Sequence, residues 1–516
     1  MKRCTTILLL LISYNHAIGQ QNTLLLNSFF KDCLLDNSEK NSSIGSSFFP
    51  KFESETGINS RFQDSSLQYY DVTETLFKKH LFEVKGQNYY LTISPVIDLA
   101  KGKDLSDTSE RKLFQNTRGF FIEGDLFKNF SFSTSFFENQ SRFAQYESAY
   151  YASIGELYPN SSVGYTSQNA VIPGSGRTKP FKETGFDYAY AIGNIVYKPH
   201  RSILLSAGNS AHFIGDGHRS ILLSDNSAPA PFFRATFQIS SKWKFDYLRM
   251  RLINLLRKPA SSSVESYYET KGYSVNYLSY LPNSKFCVSF FEGIIWSRGD
   301  SIISKKVHPL YYNPIPFIAN LSFTDKEIYS IIGLNLSYSL VPKHRIYGQL
   351  ALGNIADKQI AYQIGYRGYN YFGWKNFMVQ LEYNSVSKNM YSSSNPRLNY
   401  SHYNLPLSHS KGSSFQEFIL RSNFERKRFY IDMKSILYLV KDYSSLDLLA
   451  VQKNITRETG SIFLQKVELG YRFNKKMNLT VFGSLQFRTE VFSKTQHSNQ
   501  LFIGIRTGIT NHYNDF

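Results

Sequence analysis

From Tyr89 onward the sequence is a succession of short dyad-repeat runs, and the connections between them alternate in length. Eight are tight: Leu126-Phe127-Lys128-Asn129, Lys198-Pro199-His200, Ser240-Ser241-Lys242, Pro282-Asn283-Ser284, Pro342-Lys343-His344, Tyr371-Phe372-Gly373-Trp374, Glu425-Arg426-Lys427 and Asn474-Lys475-Lys476. Each puts polar or turn-forming residues between two apolar runs. The other connections are long and polar: 140–185, 210–231, 254–271, 297–328, 386–414 and 440–461. Tight turns on one side and long loops on the other are the asymmetry of an outer-membrane β-barrel. The eight turns pair strands two to seventeen. With a first strand from Tyr89 to Asp98 and a last from Asn499 to Thr510, the count is about eighteen, even as such barrels require. The predicted fold is an all-β, antiparallel, up-and-down transmembrane barrel over residues 89–516, with both its ends periplasmic.

Within the runs, alternation sorts residues onto two faces. Phe233, Ala235, Phe237 and Ile239 oppose Arg234, Thr236 and Gln238. Phe130, Phe132, Thr134 and Phe136 oppose three serines, and Phe377, Val379, Leu381 and Tyr383 oppose Gln380, Glu382 and Asn384. Leu479, Val481, Leu485 and Phe487 oppose Thr480, Ser484, Gln486 and Arg488. Tyr188, Tyr190 and Ile192 oppose Asp187, Ala189, Ala191 and Gly193. In the last strand Leu501, Ile503, Ile505, Thr507 and Ile509 oppose Gly504, Arg506 and Gly508. In a barrel the greasy, aromatic face meets lipid and the other lines the lumen. Arg234, Glu382, Arg488 and Arg506 are thereby lumen residues. The chain ends at Phe516, similar to the terminal aromatic that barrel-assembly machinery reads, but out of phase with the outer face.

Composition separates this from a soluble sandwich. The mean hydropathy of −0.31 looks soluble, yet the chain holds 42 Phe and 37 Tyr against 3 Trp. That load suits interfacial girdles. Met1-Lys2-Arg3, the apolar run Thr5 to Ile12 and Ala17-Ile18-Gly19 read as a secretory signal peptide, residues 1–19. Cys4 precedes the apolar run and is not a lipid-anchored cysteine. Loss of Lys2 and Arg3 takes the net charge from +18 to about +16. Such a surface suits anionic partners, lipopolysaccharide or acidic polysaccharide, and nucleic acid is not expected for an exported chain. Residues 20–88 lack the strand pattern. Leu26, Phe29, Phe30, Cys33 and Leu34 have helical spacing, Val72 to Phe82 reads as a second helix or irregular chain, and the region is expected to be periplasmic or a plug. Cys33 and Cys287, the mature cysteines, are either two buried thiols or a bridge between plug and wall.

Catalytic patterns are missing. There is no Gly-x-Ser-x-Gly elbow, phosphate loop or His-Glu-x-x-His helix, and Gly174-Ser175-Gly176-Arg177-Thr178-Lys179 has the wrong spacing for one. No enzyme, cofactor or metal is expected. His200 to Ser206 recurs as His218 to Ser224, an isolated repeat with a duplicated ligand site as the remote reading. Tyr400 to Gly412 interleaves aromatics with His, Asn and Lys, a pattern suited to stacking on sugar rings or to a self-packed loop closing the mouth. The candidate polysaccharide-binding residues are His218, Arg219, Asp225, Asn226, Tyr400, His402, Tyr403, His409 and Lys411, on two outer loops expected to meet at the barrel mouth. Arg and Lys pair with uronate or phosphate, and Tyr offers sugars a flat face. Arg219 has a second reading, bracing its loop through Asp225.

Five stretches resemble the Wzi-type capsule-assembly barrels, and more closely their Bacteroidetes relatives of the RemB gliding-motility type. They are Gly215 to Asn226 (GDGHRSILLSDN), Tyr347 to Leu350 (YGQL), Tyr362 to Gly365 (YQIG), Gln380 to Asn384 (QLEYN) and Ser401 to Leu407 (SHYNLPL). The resemblance implies a barrel of about eighteen strands with an N-terminal periplasmic segment. It also implies non-catalytic surface polysaccharide binding, in capsule retention or gliding adhesion. The sequence departs at Gly353-Asn354, where an acidic, aromatic tract is expected. The alternative is a channel or secretion accessory using the lumen.

Overall fold

The computed structural model describes residues 22–40, 45–52, 55, 80–109, 111–127, 129–257, 268–298, 309–315, 328–354, 357–451 and 456–516. Eighteen antiparallel strands form one closed barrel. They are β1 (Tyr89–Asp104), β2 (Lys112–Leu126), β3 (Phe130–Arg142), β4 (Gly185–His200), β5 (Ile203–Ser210) and β6 (Ala230–Gln238). There follow β7 (Trp243–Asn254), β8 (Glu269–Asn283), β9 (Phe286–Ser297), β10 (Ile328–Val341), β11 (His344–Leu352) and β12 (Ile360–Tyr369). The last are β13 (Phe377–Val386), β14 (Phe415–Arg426), β15 (Phe429–Tyr443), β16 (Glu458–Asn474), β17 (Leu479–Val491) and β18 (Thr495–Thr507).

The eight tight turns join β2 to β3, β4 to β5 and so on to β16 and β17, as the pattern predicts. Lys343 and Lys427 sit in the left-handed region, φ 71° and 58°, which tight hairpins demand. Closure runs through Asp98–Asp104 of β1 against Gln500–Arg506 of β18. Below it, the edge strand Phe82–Lys85 pairs with Tyr90–Ile93 and occupies the part of the seam at the tight-turn end. β1 is longer than expected and β18 starts earlier, because only Phe492–Lys494 separate β17 from β18.

Alternation sets the faces of most strands. Phe233, Leu381, Phe418 and Ile503 are exposed on the outside, whereas Arg234, Gln380, Asn384, Arg488 and Thr480 are buried inside. A polar residue is tolerated inward because the neighbouring inward residues bond to it. Asp246 accepts from Arg234 Nε (3.2 Å) and Nη2 (2.7 Å) and from Thr236 Oγ1 (2.6 Å). β4 reverses the expectation: Tyr188 and Tyr190 turn inward, where Tyr190 stacks on Phe137 at 4.6 Å. Ala189, Ala191 and Gly193 take the outer side. An aromatic inner face is stable there because the lumen holds packed protein rather than water.

Four segments provide that protein. The first is residues 22–52, with helix α1 (Ser28–Lys40) and the pair Phe48–Phe49, which adds to Phe213–Ile214. The second is helix α2 (Gln145–Ser153) of the β3–β4 connection. The third comprises the β5–β6 and β13–β14 connections. The fourth is the stretch after β18, which bends inward: Ile509 packs on Phe30, Val96 and Phe121, and Phe516 on Tyr146, Tyr150 and Tyr151. Ile509 and Phe516 therefore do not continue the outer face. Cys33 and Cys287 are not disulfide-bonded, and Cys287 is buried inward as its strand phase predicts. The segment 1–19 and Val72 to Lys79 lie outside the described residues.

Candidate functional site

The Gly215-Asp216-Gly217 turn carries the β5–β6 connection against the inner wall. Gly215 has φ +129°, and a Cβ on Gly217 would meet Glu382 Oε2 at 2.6 Å. This closeness lets the backbone amides of His218 and Arg219 both donate to the Glu382 carboxylate, at 2.7 and 3.0 Å. Gln363 Nε2 donates to Arg219 O (3.0 Å), and Gln349 takes Ile221 N and gives to Ile214 O. The inward polar residues of β11 to β13 thus replace water for a loop that would otherwise leave its backbone unsatisfied.

Arg219 then extends to the adjoining strands β14 and β15 and to the stretch after β18. Its guanidinium pairs with Glu417 (3.2 Å) and Asp515 (3.1 Å) and donates to Tyr438 Oη (3.0 Å). Lys434 also meets Asp515, at 2.5 Å, and His409 Nε2 lies 2.6 Å from Glu417. Buried charges are tolerated only when paired and hydrogen-bonded in this way. Burial would raise the Asp515 pKa, but Arg219 and Lys434 hold the carboxyl well below its usual range. Burial pushes His218 well below the ordinary histidine value.

The β13–β14 connection lies over this loop. Tyr391 and Tyr400 donate to Ile221 O and Leu222 O, at 2.7 and 2.8 Å, and Ser224 N donates to Leu407 O. Asn226 Nδ2 reaches Pro406 O, and Asp225 accepts from Asn511 Nδ2 (2.8 Å) and from Tyr513 Oη. His402 Nδ1 accepts from Ile253 N at 3.0 Å, and burial, with Lys271 nearby, pushes its pKa down to about 3. Lys411 lies 4.2 Å over Tyr443; burial first, then Arg488, pushes it down to about 7. Ile221, Leu222, Tyr391, Tyr400 and Leu407 join inward wall residues such as Tyr273, Phe291 and Tyr438 in one hydrophobic cluster.

The nine candidate binding residues therefore come together, but not at an open mouth. Arg219, Asp225, Asn226, Tyr400, His402, His409 and Lys411 are buried in the lumen, and His218 and Tyr403 are half-buried. The β5–β6 loop turned inward because Glu382, Gln363 and Gln349 satisfy its backbone there, and Tyr391, Tyr400 and Leu407 tie the β13–β14 loop to it. Arg219 does brace its loop, through Glu417 and Asp515 rather than Asp225. The lumen residues Arg234, Glu382 and Arg488 are inward and bonded; Arg506 pairs with Glu468. Two cavities of about 450 Å³ remain beside α1 and beside Lys51 and Lys244.

At the long-loop end of this plug, the hairpin of Glu156–Asn160 and Gly164–Gln168 carries a cluster that the sequence pattern did not single out. Glu156 is fully buried and accepts from Asn169 (3.0 Å), Arg177 (3.2 Å), Arg257 and Tyr268. Burial opposes its ionisation, but Asn169, Tyr268 and Arg257 hold the carboxyl below its usual range. Arg257 sits over Tyr158 and Tyr268, at 5.4 and 5.1 Å. Tyr158, Tyr165, Arg177 and Tyr268 are partly exposed. Planar rings beside a fixed guanidinium suit a sugar ring and its carboxylate. Among the described residues no group of three His, Cys, Asp or Glu side chains is placed to hold a metal.

No family model and no curated protein matches the chain. Among solved structures, Wzi, an outer-membrane protein involved in group 1 capsule assembly in Escherichia coli and a carbohydrate-binding β-barrel, superposes with a TM-score of 0.54 at 10% identity. The match covers 94% of this chain and 99% of that one. Pseudomonas aeruginosa OpdQ (TM-score 0.42, 9% identity, 81% and 97% covered) and OccK2, solved with glucuronate (0.42, 11%, 81% and 98%), are also similar. At these identities the likeness is one of fold. The expected barrel of about eighteen strands is found and its fold is like that of Wzi; the likenesses do not bear on the gliding-motility branch.

Proposed function

We propose that this chain is an outer-membrane barrel that binds or anchors surface polysaccharide on its extracellular side, without catalysis, and that its lumen is not a conduit. The observation that carries the reading is the filled lumen: two inward loops, α1 and the stretch after β18 cross it and bond to opposite walls. A permeation path requires the opposite, a continuous polar channel. The apolar outer belt supports membrane residence. The fold shared with a carbohydrate-binding barrel supports the class of ligand. The contact surface proposed is the layer above the plug, Tyr158, Tyr165, Arg177 and Tyr268, with Tyr403 beneath. The buried loop residues hold that layer rigid. Individually weak contacts repeated along a polymer supply avidity.

The test uses the refolded full chain. In planar bilayers it should show no steady ion conductance. On an array of acidic and neutral glycans it should retain acidic polymers, and the combined Tyr158→Ala, Arg177→Ala and Tyr268→Ala variant should lose about tenfold or more in apparent affinity. Steady conductance with unchanged glycan binding in the variant would replace this reading with the conduit.

A further inference from the structure

The outward face of β1 and β2 changes character at its extracellular end. Leu99 faces lipid, but Lys101 and Lys103 follow it on the same outward phase. Lys112 of β2 is the cross-strand partner of Lys103, and Phe114 that of Lys101. On the next strand Arg142 is the partner of Phe114, with its guanidinium 5.7 Å from that ring. Phe181 packs edge-on to Phe114 at 6.4 Å and carries Lys182 at 5.3 Å. Five cations thus surround an aromatic floor on the outer wall.

Charge balance at this spot is unusual. Like charges directly opposite on adjacent strands destabilise a sheet, and Lys103 opposes Lys112. None of the five is in an ion pair among the described residues, and Arg142 Nε is buried without a hydrogen-bond partner. The acid on the same strand, Asp104, turns inward, where Ser498 Oγ and Asn499 N donate to it. Inward cations such as Arg234 and Arg506 are matched by the carboxylates of Asp246 and Glu468; this outward cluster is not.

Depth identifies what meets it. Lys101 lies a dozen residues beyond Tyr89 at the periplasmic end of β1. At about 3.3 Å per residue and a tilt of roughly 40°, it stands about 30 Å above that end. The apolar band of such a barrel is about 25 Å tall, so the lysines stand at the outer headgroup level. Leu501 and Ile503, the partners of Lys103 and Lys101 on β18, carry the apolar wall alongside them. We propose that Lys101, Lys103, Lys112, Arg142 and Lys182 bind the phosphate-bearing headgroup of an outer-leaflet glycolipid, whose acyl chains lie along Leu99, Leu501 and Ile503. This rests on the outer-membrane placement above but not on polysaccharide binding. The lysines act as point charges, and Arg142 offers its planar fork.

The experiment uses the refolded full chain in detergent and measures binding of bis-phosphorylated lipid A, of the same lipid dephosphorylated, and of inorganic pyrophosphate. Two variants accompany it: Lys101→Gln, Lys103→Gln, Lys112→Gln, and a control at the periplasmic turns, Lys242→Gln, Lys285→Gln, Lys427→Gln. Heat-modifiable migration checks that each barrel is folded. The phosphorylated lipid should bind at least about tenfold more tightly than the other two probes, and only the first variant should remove that margin. Equal binding of the two lipids, equal loss in the control, or pyrophosphate binding as tightly as the lipid would each overturn the proposal. Acidic-glycan binding by the same samples reads the polysaccharide function separately, so either can fail alone.

Discussion

The same seven residues occur twice, eighteen positions apart, and do different things. In the first copy, His200 ends β4, Arg201 and Ser202 turn, and Ile203 to Ser206 open β5. Ile203 and Leu205 face out, Leu204 faces in onto Phe52 and Val196, and His200 and Arg201 are exposed. In the second copy no strand forms. Arg219 ties β13, β14 and β15 to the stretch after β18, and Ile221, Leu222 and Leu223 are fully buried in the plug. The preceding residue differs: Pro199 leads into a hairpin, whereas Gly217 allows the chain to approach Glu382. A local sequence selects its conformation from what surrounds it. Here the selecting groups are the inward carboxylates of β13 and β14.

The two copies differ most at their arginines. Arg219→Ala leaves Glu417 and Asp515 short of their shared cation in a buried site, and should loosen the plug by about 3–5 kcal/mol. Arg201→Ala should stay within about 0.5 kcal/mol. Proteolysis of the β5–β6 and β13–β14 connections, with bilayer conductance, reads both. Equal behaviour of the two variants would dissolve the distinction.

Acid should act on the second environment alone. With its pKa lowered from 6.5 to about 3, the buried His402 refuses a proton that the released loop accepts. The folded plug thus binds fewer protons than the open one between those values. Its stability is complete above about 6.5 and falls as the pH drops through that window, by on the order of a few kcal/mol. His218, shifted in the same direction by burial, adds to the fall. Conductance that switches on between pH 6 and 4 while the barrel stays heat-modifiable is the expected outcome. A lumen closed throughout would remove the titration argument.

Gly217→Ala should cost about 1–3 kcal/mol, because the new Cβ would lie 2.6 Å from Glu382 Oε2 and 2.7 Å from Arg219 O. The smallest effect is expected at Lys411→Met. The ammonium is in no ion pair among the described residues and lies between Tyr438 and Tyr443, so an apolar chain of similar length should be neutral or slightly stabilising in thermal melts. A large loss there would give the ammonium a role that its contacts do not.

The barrel was legible because its signals are local. A hairpin needs turn chemistry at fixed positions, and a wall between lipid and lumen needs period two; Lys343, Lys427, Leu381 and Glu382 carry both in a few residues. The candidate site was legible only as a grouping. Tyr400, His402, Arg219 and Asp225 do converge, and yet their burial was not readable, since an aromatic interleaved with His and Lys looks alike on a mouth and in a core. The cluster at Glu156 gave no local signal, because its donors come from positions 169, 177, 257 and 268.

Sequence alone determined the strand count, the turns, the outward belt and the inward placement of Arg234, Glu382 and Arg488, for these follow from spacing along one chain. Only the tertiary structure decided that the lumen is filled, that Tyr188 and Tyr190 face inward, and that Arg219 meets Glu417 and Asp515. Those outcomes depend on the pairing of groups hundreds of residues apart. A buried charge or amide goes where its partners are, and the partners' positions exist only after the barrel has closed.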